Sequence, residues 1–176
     1  RLSGNGYDDP RWIALQQVVL AHPATHALRT HARVRALLDI AFDGAPYQDA
    51  QGDICRLLLP APPDLATPPH QDRFYLADGP PLWTVWLPLV DSPPEVGSLE
   101  IWPGSQHLGL LPHEAEASSA PGVTPPPSIN SYCPHLRPGD AVIFSALTVH
   151  GSAPNTSETR ARLSIDLRYA QRVRPV

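Results

Sequence analysis

Two stretches near the start of the chain repeat apolar residues at helical spacing. Asp8-Asp9-Pro10 reads as a helix start, an acidic N-cap followed by proline in the first turn. Arg11 to Ala21 continues it, with Trp12, Leu15, Val18 and Val19 on the repeat, and Pro23 ends it. A second helix is expected from about Ala32 to Ala41, with Val34, Leu37, Leu38 and Ile40 as its apolar stripe. From about Asp53 the texture changes. Ile54 to Leu59 is a short apolar run, Pro60 to Pro69 a proline-rich loop, and Leu82 to Val90 a strand rich in aromatic and β-branched residues. Ser98 to Trp102, Ala141 to Ala146 and Arg160 to Tyr169 read as further strands, with turns at Pro103-Gly104-Ser105 and Pro138-Gly139-Asp140. Pro112 to Pro127 has no period and is expected to be a long surface loop. Two helices followed by short strands between Pro and Gly turns indicate a mainly β architecture. An antiparallel sandwich or barrel with helices packed outside fits this order.

Composition narrows the picture. A chain of 176 residues can form one domain with its own core, expected over 1–176, mostly helical in 1–45 and stranded in 53–170. It has no Met, so an N-terminal portion is expected to be missing. The 23 Pro outnumber the 11 Gly, which favours loops joining short strands. A net charge of −4 argues against a nucleic-acid partner. All 13 basic residues are Arg, which excludes a Schiff-base or P-loop lysine. No apolar run approaches the ~18 residues of a membrane span. Cys55 and Cys133 form neither a C-x-x-C pair nor a disulfide framework. Free thiols in a reducing, cytoplasmic setting are expected. His22, His26 and His31 straddle Pro23 without a carboxylate beside them and read as surface or packing residues.

The candidate chemistry starts at His70-Gln71-Asp72. If these residues begin a strand, His70 and Asp72 share one face and can bind one metal together. An isolated H-x-D triplet is more often a surface turn, so a third ligand is needed. His150 supplies it, where an apolar strand ends before Gly151. Two His and one carboxylate leave about three coordination positions open, which suits non-heme Fe(II) and O2. Zn hydrolases also use mixed His/Asp ligands. Arg160 and Arg162 follow His150, and on a strand they share one face with Ser164. An Arg beside a hydroxyl suits a bidentate grip on a carboxylate, such as the far end of a 2-oxo acid chelating the metal.

In order and spacing, these segments resemble the phytanoyl-CoA dioxygenase family of Fe(II)/2-oxoglutarate oxygenases. The resemblance spans roughly Ile54 to Tyr169. It rests on His70-Gln71-Asp72, the Trp86 to Asp91 and Gly97 to Ser105 runs with His107 and Gly109, Pro138 to Phe144, and His150 to Asn155 followed by Arg160. It implies a double-stranded β-helix (jelly roll, cupin-like) with flanking N-terminal helices. His70, Asp72 and His150 would ligate iron, and Arg160, or Arg162 with Ser164, would hold the C5 carboxylate of 2-oxoglutarate. Thr84 and Trp83 or Trp86 would line the cosubstrate end, although core packing serves each Trp equally well. Asn155 would cap the turn after His150. Relatives with a cosubstrate lysine in the N-terminal half have no counterpart here.

The implied reaction uses Fe(II), 2-oxoglutarate and O2 to hydroxylate an unactivated C–H of a small molecule, releasing succinate and CO2. A secondary metabolite, amino acid or sugar-like substrate is expected, with no nucleic-acid or membrane partner. Desaturation, epimerisation or ring closure by the same oxidant is the alternative. Related halogenases lack the carboxylate that Asp72 provides. A metal-binding jelly-roll sensor and a Zn hydrolase are the readings from other classes.

Overall fold

The computed structural model describes residues 10–60, 66–76, 79–114 and 121–173. Three helices lead: α1 (Pro10–Ala21), α2 (Pro23–Arg29) and α3 (Ala32–Ala41). The expected acidic cap of α1 at Asp8-Asp9 lies outside the described residues. The helix α2 has no counterpart in the periodicity. It starts because Pro23 sits in its first turn and His22 Nδ1 accepts from the Ala24 N–H. His31 caps α3 in the same way through the Arg33 N–H. Two of the three clustered histidines are thus helix caps.

Only part of each apolar stripe faces inward. On α3, Val34 and Leu38 are buried one turn apart, while Leu37 and Ile40 are exposed. On α1 only Trp12 is buried, and Leu15 and Val18 are exposed. Val34, Leu38 and Phe42 join Val85, Leu87, Ile165, Leu167 and Tyr169 in the largest core cluster. Burying a leucine such as Leu38 contributes about 2–3 kcal/mol. Among the described residues no helix is long and apolar enough to cross a membrane.

The rest is antiparallel sheet. Seven strands follow: β1 (Tyr47–Asp49), β2 (Ile54–Leu58), β3 (Leu82–Pro88), β4 (Leu99–Ile101), β5 (Val142–Ser145), β6 (His150–Ser152) and β7 (Arg162–Gln171). The larger sheet runs β1-β7-β3-β5, with β2 also paired to β7. The smaller sheet pairs β4 with β6. Single bridges extend it to His70 on the β6 side and Tyr132 on the β4 side. This is the jelly-roll (double-stranded β-helix, cupin-like) arrangement with flanking helices, open rather than closed into a barrel. The short β1 strand was not legible as a separate element.

β7 positions the site. It is buried on both faces over most of its length. Ile165, Leu167 and Tyr169 point into the apolar core. Arg162, Ser164, Asp166 and Arg168 occupy the opposite face, and each is buried. Four buried polar side chains in a row require partners, and those partners build the site.

Candidate metal centre

His70 and His150 lie opposite each other across a one-residue antiparallel bridge. The His70 N–H donates to the His150 carbonyl at 2.8 Å, and the His150 N–H donates to the His70 carbonyl at 3.0 Å. Directly opposed residues project their side chains to the same side, and the two imidazole centroids are 4.3 Å apart. Each ring is oriented by its own backbone. His70 Nδ1 lies 2.9 Å from the Pro68 carbonyl and His150 Nδ1 lies 3.0 Å from the Thr148 carbonyl. A carbonyl only accepts, so each Nδ1 carries the proton and each Nε2 presents a lone pair.

Asp72 does not extend a strand, as the His-x-Asp spacing led us to expect. It opens a four-residue helix, α4 (Asp72–Tyr75). The chain turns there because Gln71 is pinned on its far side. Gln71 is fully buried. Its side-chain amide donates to the Gly109 and Leu147 carbonyls and its Oε1 accepts from the Leu111 N–H. Its backbone N–H donates to His113 Nε2. Asp72 therefore reaches the two histidines from a helix start rather than from a shared strand face.

Asp72 Oδ1 is 3.9 Å from each Nε2. That is too long for a hydrogen bond. It is shorter than two bonds of about 2.1 Å to a shared metal ion. All three residues are buried, and their donor atoms lie within 4.8 Å of one another. The donor set of two neutral imidazoles and one carboxylate fits a divalent first-row metal with open positions.

Two further side chains hold the carboxylate. Arg168 Nη2 donates to Oδ1 at 2.8 Å, and Thr84 Oγ1 donates to Oδ2 at 2.7 Å. Burial alone would raise the Asp72 carboxyl. The permanently charged Arg168 guanidinium, which also donates to Oδ1, outweighs it and holds the group below the usual carboxylate range. Burial pushes His150 down, and it pushes His70 down further, aided by the charge of Arg56. Both imidazoles are thereby kept neutral, which is the ligating form.

A narrow cavity, with room for about one water, abuts the two histidines. Arg162, Trp86, Arg56, Ser152 and Asp166 are among its walls. Arg162 is buried, donates to the Gly97 carbonyl and to Ser164 Oγ, and lies 6.0 Å from the Trp86 ring centre. Arg56 Nε donates to Asp166 Oδ2, while Asp166 Oδ1 is buried with no hydrogen-bond partner.

Two residues expected to contact the cosubstrate have other partners in the structure. Arg160 precedes β7, is half exposed, and pairs with Asp91 on the surface. The alternation that would have placed it beside Arg162 applies only inside a strand. Thr84, expected at the cosubstrate end, sits on β3 directly opposite Arg168 and donates to the Asp72 carboxylate. Trp86 lines the narrow cavity and packs in a core cluster with Leu99, Leu136 and Phe144. Asn155 clamps the turn after β6, donating to the Leu58 and Arg160 carbonyls and accepting from Ser157. Arg168, Arg56, Asp166 and Gln71 were not singled out from sequence. The signal for the first and third was the polar parity of β7, which continues past Ser164.

Comparison with known proteins places the site in context. The family model described as phytanoyl-CoA dioxygenase matches residues 14–163. The curated 1-deoxypentalenic acid 11-beta-hydroxylase of Streptomyces arenae is 31% identical over 121 residues, which is 61% of this chain and 42% of that protein. The chain thus spans less than half the length of that relative. The structure of the epimerase SnoN with Fe3+, alpha ketoglutarate and nogalamycin RO superposes with a TM-score of 0.67 at 27% identity, covering 89% of this chain and 62% of that one. EvdO2 from Micromonospora carbonacea var. aurantiaca, complexed with 2-oxoglutarate, shares the fold with a TM-score of 0.64 at 22% identity, covering 92% of this chain and 64% of that one.

Proposed function

The chain belongs to the phytanoyl-CoA dioxygenase family, and from that premise we propose that it is a non-heme Fe(II)- and 2-oxoglutarate-dependent oxygenase acting on a small molecule. The observation that carries the reading is the convergence of His70, Asp72 and His150, with both Nε2 atoms presented, beside the buried Arg162. The three side chains would hold the iron. Arg162 and Ser164 would hold the far carboxylate of 2-oxoglutarate, in place of Arg160. Bound iron, with 2-oxoglutarate and O2, supplies the oxidation of an unactivated C–H, with succinate and CO2 released.

The protein's own part is positioning and exclusion of water. Pro68 and Thr148 fix the imidazole tautomers. Phe144 packs on His150 and Tyr75 on His70, which covers the ligand rings. The cavity beside Arg162 is narrow, so 2-oxoglutarate enters by moving wall side chains apart. A wider cleft of about 610 Å³ lies against Pro68 and Pro69, just before His70, and is the proposed substrate approach. The two cysteines are unpaired, in keeping with a cytoplasmic enzyme, and residues 1–176 are read as one domain.

The test is succinate release from 2-oxoglutarate with Fe(II) and ascorbate, in wild type and His70→Ala. Turnover in the wild type alone supports the reading. Equal turnover in the variant, or none in wild type across a panel of candidate substrates, counts against it. Likeness to an epimerase favours stereo-inversion as a second reading. Labelled O2 separates the two, because hydroxylation leaves one labelled oxygen in the product and inversion leaves none.

A further inference from the structure

The carboxylate of the candidate metal site is held by protein donors at both oxygens. Thr84 and Arg168 are cross-strand partners in the β3–β7 register. Thr84 is fully buried and Arg168 nearly so. Their side chains meet the same Asp72 carboxylate from different oxygens, at 2.7 and 2.8 Å. Oδ1 is the oxygen that faces His70 Nε2 and His150 Nε2. Oδ2 is engaged by the Thr84 hydroxyl.

Arg168 is itself immobilised. Its Nη1 donates to the Gly52 carbonyl, its backbone N–H donates to Asp53 Oδ1, and its carbonyl accepts from Arg29 Nη1. A carboxylate so fixed cannot rotate about its own axis without breaking a buried hydrogen bond.

We propose that Thr84 and Arg168 form a clamp that restricts Asp72 to binding the metal through Oδ1 alone, which keeps one coordination position open that a two-oxygen carboxylate would fill. The inference rests on the metal-site reading above and adds positioning roles for two residues. Arg168 fixes the direction of Oδ1, and Thr84 withholds Oδ2. Replacing the hydroxyl by a methyl group of equal size leaves Oδ2 buried without a donor. The metal then becomes its best available partner.

The experiment uses Mn(II), whose bound waters are counted by water-proton relaxation. Wild type should carry about three exchangeable waters. Thr84→Val should carry one fewer, with relaxivity per bound Mn(II) lower by roughly a third. Thr84→Ser, which keeps the hydroxyl, should restore the wild-type value, whereas a merely structural role would not track the hydroxyl. If Thr84→Val fails to fold, Thr84→Ala carries the same expectation. Arg168→Lys should weaken Mn(II) binding by roughly 10- to 100-fold. Wild-type relaxivity and affinity in Thr84→Val or Thr84→Ala overturns the clamp while leaving the metal site standing. A wild type that binds no Mn(II) overturns the metal reading, and the clamp with it.

Discussion

His70 and His150 exchange both of their backbone hydrogen bonds, at 2.8 and 3.0 Å. The two candidate ligands are thus registered by main chain, independently of what their side chains are. Replacing either by Ala should leave the bridge in place. His70→Ala and His150→Ala are therefore expected to melt close to the wild-type metal-free temperature while losing divalent-metal affinity by at least about 100-fold. Calorimetric Mn(II) titration alongside thermal melts checks this. Unfolding of both variants would show that the rings, not the backbone, hold the bridge.

Acid should destabilise the metal-free protein earlier than carboxylate titration alone would. The buried imidazoles have folded pKa values below the ordinary value of about 6.5. Unfolding lets them take up protons, so their share of stability is present above about pH 6.5 and is lost as the pH falls below it. Asp72 acts in the same sense lower down. Its folded carboxyl is depressed, so its share holds above about pH 4 and is lost on further acidification. Melting temperature measured from pH 8 to 4 should fall from about pH 6.5. The double variant His70→Ala/His150→Ala should flatten the upper part of that curve. An unchanged slope would refute the assignment.

Arg162 and Arg160 should behave oppositely. Arg162→Gln is expected to raise the KM for 2-oxoglutarate by at least about 10-fold, since a charge-assisted grip on a carboxylate is worth about 1.5–3 kcal/mol. Arg160→Gln breaks only solvent-exposed pairings with Asp91 and Glu95 and should leave KM and stability near wild type. Kinetics on both variants checks the assignment, and the reverse ranking would restore Arg160 to the site.

Gln71 is the buried tie between the ligand triplet and the 109–113 segment. Gln71→Leu would leave the Leu111 N–H and the Gly109 and Leu147 carbonyls without this partner. A loss of about 2–4 kcal/mol in unfolding free energy is expected. Denaturant unfolding measures it. A change below 0.5 kcal/mol, on the order of a surface substitution, would mean that these groups find water instead.

The candidate metal ligands were legible because their chemistry is carried by residue type and order, an H-x-D followed later by a His where an apolar strand ends. The long strands were legible because β-branched and aromatic runs are unambiguous. Other features depended on contacts remote in sequence. α2 is only seven residues long, and its cap is a histidine, an uncommon choice. Asp72 begins a helix because Gln71 is held by groups some 40 and 76 residues away. Arg160 was misplaced because the period of two was carried one step beyond the strand. Arg168 escaped notice because its carboxylate partner is 96 residues earlier and only the fold brings them together.

The two-faced burial of β7 constrains how such a protein can change. Inserting or deleting one residue in this strand would swap its faces, turning isoleucine and leucine toward the candidate ligands and driving arginines into the apolar core. The strand is therefore locked in length as well as in sequence, and drift there would cost folding and chemistry at once. New substrates are better sought by altering side chains of the wide cleft that do not hold Gln71 or the Pro69 backbone, such as Leu108, Glu114 and Thr124, which leaves untouched the strand that everything else is registered against.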